Sequence, residues 1–594
     1  MGPAGTRCTS PKSTPRHFTR RDPTADTTIA RPRVPIRLRI PDASALLFLT
    51  AALALVFLVL LPLGWLLAIS LQGPSGAATL ANYIEAFTKP IYLRPIVNSL
   101  LLASGVAAIA TLLGTPLAWL VARSDLRGRK ILRALVTAAF VTPSFLGAEA
   151  WILLAAPNSG WLNRAWVSLT HADHGPLNVF TMPGAICVMA LYAVPYCFTF
   201  VIGALELLPI EMEDASATLG GSAWKTLTSI TLPLVAPAII AGFIMAFLEA
   251  LAEFGAPSFL LIPARTQVVT TQLYLFFQFP VRTELAAAYA MPLLLVTVVL
   301  LGVQRRILGR RRFTLVGGKG GHHRRVPLGA AGVPLLIAAF AVPFLSVVLP
   351  YLALLATSVS RVWSNGPVPG NLTLYWYQWA IVDNPAARAA IVHSLTYATA
   401  AATIAVAIGF LIAYAAKRQL FPGASLLGFI AMAPFVVPGI VLAIGLYAAY
   451  SHPPFALYGT AAILIIAFTT RFLPIAFSNL NALVGTLNPD LENAARTLGA
   501  SRWESLRTVT APLLRNGLLA SWLLVFIPAI RELSSAIFLF TPRTATMTTQ
   551  IFDFSDAGNY EAVATFAILI LGISLSIVTI AYRLLGRNFM ENRT

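Results

Sequence analysis

Glu249, Glu253, Arg531 and Glu532 are ionisable residues inside stretches that are otherwise apolar. Charge is expensive in hydrocarbon, so each needs a reason to be there. Glu249 and Glu253 are four residues apart and share one face of a helix. Glu253 in LAEFGA and Glu532 in IRELSS stand at matching positions of an internal repeat, and in a duplicated chain the two carboxylates face each other across the internal symmetry axis. Two chemistries are open to such a set. Carboxylate oxygens along a route attract a hard cation, or the acids bond to neighbouring backbone and to Arg531 and hold helices together. Glu149 is a further acid within an apolar run. A route must release what it carries, so one carboxylate pair is not a tight metal site. No catalytic residue, metal-ligand set or cofactor is expected.

The elements that must position these groups are membrane helices. Of 594 residues, 57% are hydrophobic and 11% charged, and the mean hydropathy is +0.76, too apolar for a soluble protein of this size. The expected fold is an all-α polytopic membrane protein of about twelve spans, each long enough to cross the bilayer. Six lie near 44–71, 96–122, 134–156, 184–205, 235–255 and 286–304; six more lie near 328–357, 393–416, 424–450, 459–480, 514–536 and 563–585. Pro143, Pro195, Pro292, Pro434, Pro438 and Pro528 interrupt them as kinks that neighbouring helices satisfy.

The formal net charge is +19, but it is gathered in short clusters between apolar runs, which argues for orientation in a membrane and against nucleic-acid binding. Arg123, Arg127, Arg129, Lys130 and Arg133 follow the second span, Arg305, Arg306 and Arg310 to Arg312 the sixth, Lys417 and Arg418 the eighth, and Arg583, Arg587 and Arg593 the twelfth. Alternation puts all of them on one side, which the positive-inside rule makes cytoplasmic together with both termini. Residues 1–42 read as a disordered basic tail whose last part touches anionic lipid, too long and basic for a signal peptide. Residues 310–327 form a basic, Gly-rich cytoplasmic linker between halves 43–309 and 328–594. Its Gly317-Gly318-Lys319-Gly320 lacks the spacing of a phosphate loop, and His322-His323 on such a segment is not taken as a metal site. Cys8, Cys187 and Cys197 form no disulfide or ligand pattern.

Two further stretches repeat. Glu213, Ala215, Gly220, Trp224 and Pro233 answer Glu492, Ala494, Gly499, Trp503 and Pro512, all at the one interval that separates Glu253 from Glu532 and Pro195 from Pro474. Asn98-Ser99-Leu100 answers His393-Ser394-Leu395 at a longer interval, so one ancestral half was duplicated and fused, with insertions since. Each repeated stretch, 211–233 and 490–512, opens with acids suited to a helix N-terminus. Asn488 caps, Pro489 takes the first helical position, and Gly220 or Gly499 ends the helix in a left-handed turn. A second short helix follows, which Pro233 or Pro512 closes. The expected product is a compact two-helix knob, shaped for a groove on another protein.

These stretches resemble the EAA loop of ABC importer permeases, whose pattern is Glu-Ala-Ala, three residues, Gly, and later Leu-Pro. This chain has Asp214-Ala215-Ser216 and Asn493-Ala494-Ala495 in place of Glu-Ala-Ala, and Ala511-Pro512 in place of the second Leu-Pro. The resemblance implies the type I importer permease fold, with two six-helix halves in one orientation about a pseudo-two-fold axis. It also implies that Glu213, Asp214, Ala215, Gly220, Pro233, Glu492, Asn493, Ala494, Gly499 and Pro512 couple to a separate ATPase, in two copies, and that a soluble binding protein delivers substrate. The Gly-Lys-Gly-Gly linker, Tyr458-Gly459-Thr460 and RFLP at Arg471 to Pro474 resemble fused bacterial inner-membrane permeases for ferric iron, for which the intramembrane acids are apt. Permeases for thiamine, 2-aminoethylphosphonate and polyamines share the design. A secondary transporter driven by an ion gradient is the alternative of another class, but it needs no paired knobs.

Overall fold

The computed structural model describes residues 43–585 except 74–75, 210, 279, 310–324 and 422. The basic tail, most of the linker with its Gly-Lys-Gly-Gly and histidines, and Arg587 and Arg593 lie outside the described residues. The chain divides into Met1–Asp42 and the body Ala43–Thr594.

Within the described residues the body is helical, and nine helices are long and apolar enough to cross a membrane, or up to eleven if each of two bent pairs counts as one span. About twelve spans are expected, and three of them are not single straight helices. The third expected span is broken into Arg129–Ala138, a short 3-10 turn and Ser144–Ala155. Pro143 is the cause, because a residue before proline avoids the helical region: Thr142 and Pro143 are both extended. Its counterpart Pro438 breaks the ninth into Ala424–Phe435 and Gly439–Tyr450, bent by 111°. The eleventh is likewise bent, by 75°, between Arg502–Leu513 and Arg515–Ile530.

Prolines have a second use. π-helical turns at Val56–Leu60, Leu227–Thr231, Phe344–Val348 and Leu506–Thr510 each precede, within two residues, Pro62, Pro233, Pro350 or Pro512. Proline lacks an N–H and its ring crowds the carbonyl four residues back; a widened turn relieves both. Pro233 therefore does not close a separate helix as expected, since the chain runs through it into one span, Trp224–Ala252.

The central pair of each half is Pro90–Arg123 against Met182–Leu207 and Pro385–Arg418 against Ala461–Thr486. Small residues permit the approach, as in many membrane bundles: a Cβ on Gly114 would meet Cys197 at 2.9 Å, and one on its counterpart Gly409 would meet the Phe477 backbone nitrogen at 3.2 Å. The first span of each half packs on its own half and also reaches into the other. Leu61–Ser70 packs on Gly439–Tyr450, where Gly445 lets the Pro62 carbonyl approach and the Tyr450 hydroxyl donates to the Phe57 carbonyl. Reciprocally, Leu349–Ser358 packs on Ser144–Ala155 and Tyr560–Leu585, with the Tyr351 and Thr142 hydroxyls bonded.

At the end of the bundle remote from the knobs, Arg282 grips the helix Ala81–Thr88 through both oxygens of Glu85, at 2.9 and 2.7 Å. Hydrogen bonds from Arg282 and then Lys89 pull the Glu85 carboxyl down to about 2. A depressed folded value gives stability that is whole above the ordinary value near 4.5 and is lost as pH falls toward 2. The thermal midpoint of Glu85→Gln should therefore lie below that of the parent by a constant margin above about pH 5.5, closing between pH 4.5 and 2. Arg282 is 41% exposed, so the margin is at most about 1 kcal/mol; a margin that widens with acid would refute the pairing.

Candidate functional site

Each knob is built as its residues dictate. Glu211–Thr218 and Asp490–Thr497 start with acids in the first turn, and Asn488 Oδ1 accepts the Asp490 N–H at 3.0 Å. Gly220 and Gly499 take φ of +79° and +97°, and the chain closes each helix with Gly221 N–H to Ser216 O and Ala500 N–H to Ala495 O, at 2.8 and 3.1 Å. Only glycine takes these angles without strain. The second short helices are Ala223–Thr226 and Arg502–Ser505, the latter fixed by a reciprocal Ser501–Glu504 capping box.

Beneath each knob lies a polar node that is duplicated almost atom for atom. Arg123 Nε lies 3.2 Å from Glu213 Oε2, Thr231 Oγ1 donates to Glu213 Oε1 at 2.8 Å, and Arg123 Nη2 donates to the Leu205 and Leu208 carbonyls. In the second half Arg418 Nη2 donates to Glu492 Oε1 at 2.8 Å and to the Leu487 carbonyl, and Thr510 donates to Glu492 Oε1 at 3.0 Å. The Tyr414 hydroxyl adds a bond to Glu492 Oε2. Glu213 and Glu492 thus face the membrane body and tie the knob to the ends of two spans. Asp214 is half-buried, while Ala215, Asn493 and Ala494 are exposed.

The outer surface carries matched apolar groups, of which the sequence reading singled out only Trp224 and Trp503. Leu219 and Leu498 are 88% and 90% exposed, and Met212, Trp224, Leu491 and Trp503 are exposed beside them. Their signal was available: each pair sits at the same offset as the glycines, with an apolar residue where a water-facing loop needs none.

Glu249, Glu253 and Glu532 meet in one cavity between the halves. Leu232–Ala252 ends just before Glu253, and Arg515–Ile530 just before Arg531 and Glu532, so these three groups sit at helix breaks, whereas Glu249 lies in the last turn of its helix. Glu249, Glu253, Arg531 and Glu532 line one cavity of about 200 Å³ together with Tyr196, Ser144 and Arg471. Arg471 Nε pairs with Glu532 Oε2 at 3.1 Å; Ser535 donates its N–H and hydroxyl to Glu532 Oε1. Arg531 Nη2 donates across to the Phe140 carbonyl of the first half at 3.1 Å. Arg471 fits because Gly439, just past the Pro438 break, has no side chain: a Cβ there would lie 2.7 Å from its guanidinium. The reading from sequence used Arg471 only as part of the RFLP word and did not count it among the charges within spans, although it is a cation within the expected span 459–480. Glu149 lies apart, buried against Ser555 and Tyr560.

Behind the cavity the chain does not form the loops expected between spans. Gly255–Leu261 with Val269–Phe276, and Ala536–Leu539 with Met547–Asp556, are short buried helices. They are pinned alike: Thr270 and Thr548 donate to the carbonyls of Glu253 and Glu532, and Ser99 and Ser394 accept from Val269 and Met547. Among the described residues no group of three or more His, Cys, Asp or Glu is arranged to hold a metal ion.

A duplicated helical membrane body with paired knobs and a charged cavity between its halves is the body of a transport permease. The chain belongs to the family described as binding-protein-dependent transport system inner membrane component, which matches residues 114–313 and 405–590, once in each half. It is an ABC-importer-type permease subunit, and the family carries no nucleotide site of its own; the family works with an ATPase subunit and a solute-binding protein. The chain is 27% identical over 493 residues to the ferric transport system permease protein FbpB of Actinobacillus pleuropneumoniae, covering 82% of this chain and 70% of that one. It is 25% identical over 504 residues to Fe(3+)-transport system permease protein FbpB 2 of Haemophilus influenzae, covering 83% and 90%. PhnV of Salmonella paratyphi A, named for 2-aminoethylphosphonate transport, is 30% identical over 227 residues, covering 38% and 84%.

Proposed function

We infer that this chain moves ferric iron, handed over by a soluble binding protein, across the bacterial inner membrane. It supplies both permease halves, with two ATPase subunits each gripping one knob. In this reading the chain crosses twelve times, the broken third and ninth segments each counting once, both termini are cytoplasmic, and the halves are related by a pseudo-two-fold axis along the membrane normal. Closure of the ATPase dimer on ATP draws the knobs together and opens the cavity outward; hydrolysis reopens it inward. Nucleotide and loaded binding protein act by favouring one of two states.

The observation that carries the cargo is the cavity between the halves, where three carboxylates, Glu249, Glu253 and Glu532, outnumber two guanidiniums. Hard oxygen ligands suit Fe³⁺, and an incomplete ligand set suits a passage that must let go. The relatives named for ferric transport span four-fifths of the chain. A second reading, 2-aminoethylphosphonate, is favoured by Arg471 and Arg531, which match a phosphonate.

The test is ATPase activity and uptake in the reconstituted complex with binding protein loaded with ferric iron or with phosphonate. Iron-loaded protein should stimulate. Glu249→Gln plus Glu253→Gln should lower iron uptake about tenfold, the loss of one charge-assisted contact of about 1.4 kcal/mol at the barrier. Stimulation by the phosphonate-loaded protein alone would discard iron and keep the importer.

A further inference from the structure

On the knob side of the bundle, the corner after Pro90–Arg123 carries charge that no acid among the described residues pairs with in full. Arg123 is taken by Glu213 and Arg133 by Glu206. Among the described residues, Arg127, Arg129, Lys130 and Arg325 form no ion pair. Arg325 is brought here by the end of the linker, where Val326 N–H donates to the Arg123 carbonyl at 2.9 Å and Asp125 N–H to the Val326 carbonyl at 3.2 Å. Asp125, between Arg123 and Arg127 in the chain, accepts the Leu328 N–H at 3.0 Å. Partial burial and then the neighbouring Arg325 hold the Arg129 guanidinium below its ordinary value, as expected of two cations with no anion between them.

Beside these cations is a cavity of about 350 Å³ with a mixed lining, Asp125 and Arg127 together with Leu126, Val333 and Leu336. Val333 begins an apolar surface along Gly329–Ser358, where Val333 and Ile337 are both 67% exposed on a helix able to cross a membrane. Cations beside an exposed apolar helix surface, where a span enters the bilayer, are the complement of a phospholipid. Free phosphate or a nucleotide would leave the apolar wall unused.

We propose that this corner binds the headgroup phosphate of an anionic phospholipid on Arg127, Arg129 and Arg325, with its acyl chains along Val333 and Ile337. The lipid bridges the halves, since Arg127 and Arg129 belong to the first and Val333 to the second. The proposal rests on the orientation inferred above, which puts the knob side in the cytoplasmic leaflet, where basic pockets between spans meet anionic headgroups.

The test uses the full chain in nanodiscs of phosphatidylcholine with and without phosphatidylglycerol, reading by native mass spectrometry which lipid stays bound. The parent should retain phosphatidylglycerol at least about tenfold over phosphatidylcholine, since each basic residue near the surface contributes about 1 kcal/mol. Arg127→Gln/Arg129→Gln/Arg325→Gln should fall to near parity; should it not fold, the exposed single variant Arg325→Gln should show a partial loss. Equal retention by parent and variant would overturn the proposal, as would inorganic phosphate displacing phosphatidylglycerol as well as the lipid itself does. Orientation is read separately: with Cys8, Cys187 and Cys197 replaced, Ser222→Cys on the knob should react with an impermeant thiol reagent only in inside-out vesicles. Reaction from the other face would overturn the orientation whatever the lipid result.

Discussion

Replacing Gly220 and Gly499 together by proline should abolish stimulation of the partner ATPase by loaded binding protein while leaving the membrane body folded. Both glycines stand at positive φ, and the proline ring locks φ at a negative value, so the turn between the two short helices of each knob cannot form. Nothing lies within 4 Å of where a Cβ on either glycine would sit, so the damage is conformational, not a clash. Alanine should be milder, since its left-handed strain is roughly 1–2 kcal/mol per site. The graded order Gly, Ala, Pro in stimulated ATPase rate, at constant thermal midpoint, is the expected signature. A double-proline chain that still responds would remove the knobs from the coupling path. The exposed Leu219 and Leu498 flank these turns, so a misshapen turn also misplaces the apolar anchors.

Arg123→Met should be the most destabilising single change on the knob side, and worse than Arg418→Met. Removing one partner of a buried ion pair costs about 3–5 kcal/mol, because the other charge is left stranded. Arg123 is 2% exposed, and its loss also frees the Leu205 and Leu208 carbonyls. Glu492 would keep the hydroxyls of Tyr414 and Thr510, whereas Glu213 would keep only that of Thr231. Taking both partners away, in Arg123→Met plus Glu213→Leu, should restore part of the stability, since no charge is then stranded. It should not restore stimulation, because the tie from knob to span is gone. Thermal unfolding in detergent, read beside stimulated ATPase rate, separates the two effects, and a milder loss for Arg123→Met than for Arg418→Met would contradict this account.

What could be read from the chain alone followed from local rules. Glycines, caps and acidic first turns specify the knobs because each acts within a few residues, and the shared interval between most matched words betrays the duplication whatever the tertiary structure. The node could not be read this way. Arg123 and Arg418 look like topology-setting charges, and their partners Glu213 and Glu492 lie two spans further along the chain. Hydropathy likewise does not register a break, so the third and ninth spans read as continuous although Pro143 and Pro438 were in view. The short buried helices behind the cavity are too short to read as spans, yet Thr270-Thr271-Gln272 and Thr548-Thr549-Gln550, which open Val269–Phe276 and Met547–Asp556, are a further repeated word that marks them. Arg471 stands in the RFLP word with no acid near it in sequence, so its ion pair with Glu532, sixty-one residues on, is visible only in the fold.

The reach of each first span into the other half bears on how such a chain is made. Ser144–Ala155 is synthesised well before its covering helix Leu349–Ser358, and Leu61–Ser70 waits for Gly439–Tyr450. Neither half can complete its helix packing until the ribosome has delivered most of the other. Fusion of the halves keeps the late partner tethered to the early one, so closure becomes an intramolecular event at high effective concentration instead of a search across the membrane for a separate subunit.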